Sequence, residues 1–372
     1  MTRLNQKRLL DNFLKLVQID SQTRQEAAIA EELLVQLKAL GLEAYQDDAG
    51  QKIGGNSGNV IAMLKGNVDK PALMFSAHMD RVAPGLGIKP IIREGVIYSD
   101  GTTILAADDV AGIAGIIEAL HVIKENNIQH GPLEIAFTIA EEGGLHGAKN
   151  LDYAKFESRL GFAFDSGGPL GSIVVKGPAQ DKIQALIYGK AAHAGINPED
   201  GVNAIIAASK GLAKMRIGRI DSETTANVGV IKGGVATNIV TEQVEVLAEA
   251  RSLNNEKLDA QSKHMRECFE QGAAELGARA EVKVVRMYSA FSLNESDAVV
   301  QLAKKACQRI GLEPRLVPSG GGSDANVFNA NGIPTANLGM GYMKVHTTDE
   351  YMPISDLEKI AELTIALIES VE

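Results

Sequence analysis

Apolar residues recur at helical spacing from Asn5 to Leu40, and Gly41 offers a stop, so two helices are expected there. The runs "NVIAMLKG" and "PALMFSAHMD" then read as strands, and "ADDVAGIAGIIEALHVIKENN" has the length and small-residue face of a buried helix. "LEIAFTIAEE" and "LGFAFDSGG" follow as further strands. Within the first of these, the stretch "EIAFTIAEEGG", residues 134–144, opens after the "GPL" break and is apolar and β-branched without alternation, as in a strand buried on both faces. It nevertheless ends in two adjacent carboxylates, Glu141 and Glu142. Burying a carboxylate costs several kcal/mol, so a cation is expected beside them. Strands alternating with long helices predict an α/β fold with a doubly wound, mostly parallel sheet, whose ligands sit beyond the carboxyl ends of the strands.

Near Val175 the texture changes to alternating strands ("DKIQALIYGKAAHAG", "NVGVIKGG", "EQVEVLAEARS", "RAEVKVVRMYSA") with helices starting near Gly201 and spanning about 256–276. This is the pattern of a compact α+β module. The expected organisation is a catalytic domain formed by 1–177 and 291–372, with an inserted domain at 178–290. Beyond Phe291 come the helix "DAVVQLAKKACQRIGL", the glycine-rich "PSGGGSDANVF" and a last helix at 354–370, expected to pack on the first sheet. A length of 372 residues agrees with two domains.

Composition narrows the partners. Hydrophobic content of 45% and charged content of 23% are those of a globular chain. With 37 Lys+Arg against 47 Asp+Glu, the net charge is −10, and no basic run is dense enough to follow a phosphate backbone, so nucleic acid is not expected as a partner. No stretch has the apolar length of a membrane span and the N-terminus lacks a signal-peptide core, so a protein free of membranes is expected. Cys268 and Cys307 both fall in helical stretches, which favours a reducing compartment, the cytoplasm, over a disulfide framework.

Four strand ends carry acids or histidine: His78 and Asp80 in "FSAHMD", Asp108 and Asp109 in "AADDVAG", Glu141 with Glu142, and Asp165 in "AFDSGG". A parallel sheet gathers such ends at one edge. Strand alternation puts His78 and Asp80 on one side and separates Glu141 from Glu142, so one of each pair can bind a metal while the other orients it or faces substrate. His346, in the loop "MKVHTTDEY", completes the set. Two histidines with three carboxylates suit a pair of Zn²⁺ ions about 3.5–4 Å apart, bridged by one carboxylate. Two such ions carry four charges, which three carboxylates and one hydroxide cancel. Co²⁺ or Mn²⁺ fits the same ligands. His121, His130 and His264 are expected at the surface, and His146 is assigned no role. "SGGGSD" lacks the Lys-Ser/Thr ending of a P-loop, so nucleotide binding is not expected.

The motifs "HMDRV", "ADDVAG", "AEEGGLHGAKNL", "FDSGG", "AAHAGINPEDGVNAI", "SGGGSDANVF" and "VHTTDEY" run, in order and over nearly the whole chain, as in a known family. The chain resembles the dinuclear-zinc exopeptidases that include peptidase T, carboxypeptidase G and succinyl-diaminopimelate desuccinylase, and is most similar to the peptidase T branch. The resemblance implies that His78, Asp108 and Asp165 hold one zinc while Asp108, Glu142 and His346 hold the other. It implies a cis peptide after Asp108, a structural Asp109, an Asp80 that bonds His78 and sets its tautomer, and Glu141 as general base. It makes the inserted module a lid and dimerisation domain, in which His193 reaches the neighbouring subunit's site in a homodimer, Arg251 binds the substrate carboxylate, and Asn227 is a further substrate contact. Val110 stands where the family usually has a basic residue, which leaves the metal set intact but bears on substrate length.

The expected function is that of a dinuclear zinc aminopeptidase, a tripeptidase-like enzyme hydrolysing short peptides by a metal-activated water with Glu141 as base. Two rivals keep the same metal set: an amidohydrolase of N-acyl amino acids or a carboxypeptidase, and a non-catalytic metal-binding scaffold. Glu141 and Asp80 weigh against the scaffold, since neither is needed merely to bind metal.

Overall fold

The computed structural model describes residues 4–372. Helix α1 (Gln6–Val17) starts where the Asn5 side chain accepts the Arg8 amide, and it buries Leu9, Phe13, Leu16 and Val17 at three- and four-residue spacing. Helix α2 (Ala27–Ala39) stops before Gly41, whose φ of +77° is the left-handed conformation that glycine adopts freely. Strand β1 (Glu43–Gln46) and α3 (Ala49–Ile53) lead to β2 (Val60–Leu64) and β3 (Leu73–His78). The hairpin β4 (Ile91–Arg93) and β5 (Val96–Tyr98) precedes α4 (Ala107–Glu125), β6 (Leu133–Thr138), the single turn α5 (His146–Lys149), β7 (Gly161–Ser166) and β8 (Ser172–Gly177). Next come β9 (Ala179–Tyr188), α6 (Ala204–Lys214), β10 (Gly218–Arg219), β11 (Thr224–Gly233), β12 (Gln243–Ser252), α7 (Asn255–Ala274) and β13 (Arg279–Tyr288). The chain closes with β14 (Phe291–Ser292), α8 (Ala298–Arg309), β15 (Arg315–Pro318), α9 (Asp324–Ala330), β16 (Thr335–Gly339), β17 (Tyr351–Pro353) and α10 (Ile354–Ser370).

These elements form two compact units. One comprises the chain up to Lys176 with Ser292–Ser319 and Ser323–Glu372; the other comprises Gly177–Phe291 with Gly320–Gly322. In the first, a nine-stranded, mostly parallel sheet has the order β1-β2-β6-β3-β7-β16-β8-β14, with β15 on β8. Every residue of β3 and β6 is buried, which is why both read as unbroken apolar runs. Each large apolar side chain so placed contributes about 1.5–3 kcal/mol over its exposed state, so neither strand could move to an edge. Strand β3 pairs in parallel with both β6 and β7, with His78 opposite Thr138 and Ser76 opposite Ala163. That register brings the ends of the three strands level.

Helix α4 packs on β3 and against α10. The close approach passes over Gly115, where an added Cβ would lie 2.4 Å from the Ile360 methyl. The expected final helix, 354–370, is α10, but it packs chiefly on the helices α4 and α8, with contacts to α1, rather than directly on the first sheet. Two further readings change here. The strand of "EIAFTIAEEGG" ends at Thr138, and Ala140 turns into the left-handed region at φ +48°, so Glu141 and Glu142 sit in a turn rather than alternating along a strand. His130 is buried, 5% exposed, with its ring Nδ1 2.7 Å from the Gly131 carbonyl, rather than at the surface.

The second unit is a five-stranded sheet, β10-β11-β12-β9-β13, whose paired neighbours run antiparallel. Its alternating strands turn Ile183, Ala185, Ile187, Val244 and Val246 toward a core shared with Leu258, Met265 and Phe269 of α7 and with Ala204 and Ala207 of α6. Lys182, Leu247 and Val285 lie on the opposite face, where they line a groove with Asn227 and Glu249. Among the described residues, no helix is long and apolar enough to cross a membrane.

Candidate metal centre

His78 is the last residue of β3, and its backbone N–H donates to Asp109 Oδ2 at 3.1 Å. Its ring Nδ1 donates to the Asp80 carbonyl at 2.9 Å, which leaves Nε2 aimed at Asp108 Oδ1, 3.2 Å away, and Asp165 Oδ1, 3.9 Å away. The other oxygen of Asp108, Oδ2, lies 3.4 Å from His346 Nε2, which in turn is 2.7 Å from Glu142 Oε1. Asp108 therefore shows one oxygen to each of two groups, His78–Asp108–Asp165 and Asp108–Glu142–His346, and within each group the donor atoms lie within 4.8 Å of one another. A third possible combination is His78–Glu141–Glu142.

The donor set suits divalent cations. Nitrogen and oxygen ligands at about 2.0–2.1 Å around a tetrahedral ion stand about 3.3 Å apart, close to the Asp108–His78 and Asp108–His346 separations. Imidazole and carboxylate are also the ligand types of Zn²⁺.

Asp108 enters this position through a kink at the start of α4, where its φ and ψ are −81° and 101°, and the Asp108–Asp109 peptide bond is cis. Its amide donates to Glu350 Oε1, and Tyr342 Oη donates to its Oδ1 at 3.2 Å. Asp165, near the end of β7, is held by Asn337, which accepts the Asp165 N–H at 3.0 Å and donates to its carbonyl at 2.7 Å.

Asp80 bonds the His78 ring as expected, but through its backbone carbonyl, which leaves another task to its carboxylate. Its nearer oxygen is 3.6 Å from His78 Nδ1, and the imidazole is oriented by the Asp80 carbonyl instead. The carboxylate accepts the Glu141 N–H at 2.8 Å on Oδ1, and on Oδ2 it accepts the Glu142 N–H at 3.3 Å and the Thr23 hydroxyl at 2.7 Å. Asp80 thus fastens the turn that carries both glutamates. The reason is geometric: that turn presents the Glu141 and Glu142 amides to Asp80, just beyond the end of β3, and one carboxylate has an oxygen for each.

Electrostatics mark the cluster as short of positive charge. Burial drives the carboxyls of Glu141 and Asp165 well above the ordinary range, with neighbouring carboxylates adding to it. Burial opposes ionisation of Asp108 too, yet the bonds from His346 and His78 hold its carboxyl below the ordinary range. The Asp108 and Glu142 carboxylates push His346 up to about 10. So many crowded acids with two imidazoles form a site that a cation would relieve.

Sequence reading passed over several residues here. Glu350 lies inside the quoted "VHTTDEY" and Asp324 inside "PSGGGSDANVF", so the motifs were visible but not these side chains' roles. Asp324 is buried and accepts the Thr138 hydroxyl at 2.5 Å; burial raises its carboxyl to about 6. For Glu26 the sequence carried no signal of a link to the site, because the amide it accepts there, on Ala140, is 114 residues away.

His193, Asn227 and Arg251 belong to the second unit. His193 is exposed, and its Nδ1 accepts the Gly195 and Ile196 amides at 3.2 and 3.1 Å. Asn227 pairs in register with Glu249 across β11 and β12. Arg251 forms a forked pair with Glu249, Nε to Oε1 at 3.0 Å and Nη2 to Oε2 at 3.2 Å, so the fork expected for a substrate carboxylate is engaged by a neighbour two residues away on its own strand.

Residues 74–370 match the model of "Peptidase family M20/M25/M40", well over half of the chain. The chain belongs to that family. As a member of peptidase family M20, it is a metallopeptidase, a hydrolase of peptide bonds. The crystal structure of aminopeptidase PepT from Bacillus cereus is 50% identical, covers 99% of each chain and superposes with a TM-score of 0.93. That of a tripeptidase from Staphylococcus aureus is 43% identical over 99% of each chain, with a TM-score of 0.96. Peptidase T of Clostridium botulinum strain Langeland is 29% identical over 98% of each sequence.

Proposed function

We propose that this M20 peptidase is a dinuclear zinc aminopeptidase that acts on short peptides, tripeptides among them. The supporting observation is Asp108, which turns one carboxylate oxygen toward His78 and Asp165 and the other toward His346 and Glu142. His78, Asp108 and Asp165 would hold one Zn²⁺; Asp108, Glu142 and His346 would hold the second. When bound, such ions acidify a water and polarise a carbonyl oxygen. Substrate preference follows the aminopeptidase and tripeptidase likenesses.

Glu141 is 8% exposed and shares its turn with Glu142, so it stands beside the ligands without being needed as one. As general base it takes a proton from the attacking water, and as general acid it delivers that proton to the departing amine. Asp80 holds the backbone of that turn and so fixes the height of both glutamates. Asp109, through its bond to the His78 amide, keeps the ligand strand in place.

The second unit is proposed as a lid and as the face through which two copies pair. Ile196, whose amide bonds His193, is 77% exposed, Ile239, which bridges to His193, is also open, and the same unit exposes Val235 (88%), Ile205, Ile206 and Ile231. Such residues on one module are what an unpaired interface displays. Arg251 and Asn227 are proposed as contacts for the peptide's carboxylate end, Arg251 exchanging part of its bond with Glu249. Buried, unpaired Cys268 and Cys307 fit a cytoplasmic location.

The test is Glu141→Ala assayed with zinc content. The variant should bind two zinc ions per chain and lose about 10²–10⁴-fold in kcat on tripeptides. Full turnover with both zincs present would sink the assignment of Glu141. A panel of tripeptides, dipeptides and N-acyl amino acids separates the aminopeptidase from an acylamino-acid hydrolase, since only the first releases a free N-terminal residue.

A further inference from the structure

The loop carrying His346 is shut at its base by two backbone bonds, Met343 N–H to the Tyr351 carbonyl at 3.0 Å and Tyr351 N–H to the Met343 carbonyl at 3.1 Å. Its tip is exposed, and His346 itself sits in the left-handed region at φ +63°. Those bonds close the loop without aiming its imidazole. Two side chains at the base reach across to the Asp108 turn: Tyr342, whose hydroxyl donates to Asp108 Oδ1, and Glu350.

Glu350 is 1% exposed. Its Oε2 accepts the Leu105 and Ala106 amides, both at 2.9 Å, and its Oε1 accepts the Asp108 amide at 3.1 Å. The middle amide belongs to a residue with φ +59°, a conformation that a non-glycine side chain disfavours by about 1–2 kcal/mol. Three N–H dipoles converging on one carboxylate make an anion nest. A buried carboxylate costs several kcal/mol to desolvate, and an apolar residue would fill the same volume without that cost. What the carboxylate adds is two oxygens, spaced to grip both ends of a tight turn at once.

We propose that Glu350 is a positioning residue that locks the Asp108 turn to the His346 loop and so sets the spacing at which these two side chains face a shared cation. The inference rests on the reading of Asp108 and His346 as metal ligands. Glutamine can accept with one oxygen only, and its amide group would confront an N–H that the second oxygen now serves. Aspartate keeps both oxygens but falls one methylene short.

The experiment measures zinc stoichiometry and affinity by competition with a chromophoric chelator, in wild type, Glu350→Gln and Glu350→Asp, with circular dichroism, melting temperature, kcat and KM alongside. Glu350→Gln should remain folded, bind zinc roughly 10- to 100-fold more weakly, and lose kcat at limiting zinc while KM holds. Excess zinc should restore part of that kcat, and Glu350→Asp should fall between the two. Wild-type zinc affinity in either folded variant overturns the proposal, even if the melting temperature drops, because the role would then be structural alone. Should Glu350→Gln not fold, Glu350→Asp decides by the same criterion. A wild-type protein that binds no zinc overturns the ligand reading itself; two zincs in wild type with unaltered affinity in the variants overturns only the role of Glu350.

Discussion

Glu26 shows how much a single buried acid near this site can carry. It is fully buried; Oε1 accepts the Arg24 and Ala140 amides at 2.7 and 3.1 Å, while Oε2 has no hydrogen-bond partner among the described residues. Burial pushes its carboxyl up from 4.5 to about 7. The folded protein therefore holds a proton that the unfolded chain has released between those two values, and stability falls as pH rises through that window. The displacement corresponds to roughly 3 kcal/mol. In chelator-treated protein, the stability of Glu26→Gln relative to wild type should rise by about that amount between pH 4 and pH 8. Denaturation curves that stay parallel across that range would show the residue to be ionically silent. The Ala140 amide it holds precedes Glu141, as the Ala106 amide held by Glu350 precedes Asp108, so two buried glutamates brace two left-handed turns beside the site.

Helices and strands met their local signals where periodicity was strong. Strands β9 and β12 show period-two alternation, and they became amphipathic strands with one face against α6 and α7. The unbroken run of β6 became a central strand, but its end was legible only to Thr138, because the turn that follows is imposed by Asp80 and Glu26. The three-stranded sheet β17-β5-β4 had no signal, since its partners are short and Tyr351 and Tyr98 meet from distant parts of the chain. Within the second unit, α6 and α7 touch at Gly211 and Gly272. A Cβ on Gly272 would lie 2.3 Å from the Gly211 nitrogen and 2.6 Å from its Cα. Alanine in a helix gains about 1 kcal/mol over glycine. Backbone atoms cannot rotate aside, however, and overpacking costs about 1–3 kcal/mol. Gly272→Ala should therefore lower the melting temperature and speed proteolysis within residues 177–291, and a variant that melts higher than wild type would show that the helices separate at little cost.

At the scale of the whole molecule, a net charge of −10 accompanies the acid-crowded site. The proposed pairing through the His193 face leads to a complementation experiment. His193→Ala and Glu141→Ala are each expected to be nearly inactive, and mixing them should restore up to about a quarter to a half of wild-type turnover if each site borrows its histidine from the other copy. No recovery in a mixture shown to exchange subunits would confine His193 to its own chain. Val235→Asp, at an 88% exposed apolar position of the same unit, should shift the protein toward monomer in sedimentation.

Residue types and local periodicity were enough to nominate the histidines and acids at strand ends and to divide the chain into an α/β part and an α+β part. Both are properties of neighbours in sequence. Which oxygen of Asp108 faces which imidazole, that Asp80 holds the His78 ring by its carbonyl and the glutamate turn by its carboxylate, that Arg251 is engaged by Glu249, and that Glu350 grips amides up to 245 residues away all arose from folding. Hydrogen bonds between distant segments depend on where the sheet delivers its strand ends, and no spacing along the chain encodes a distance of 3 Å across it.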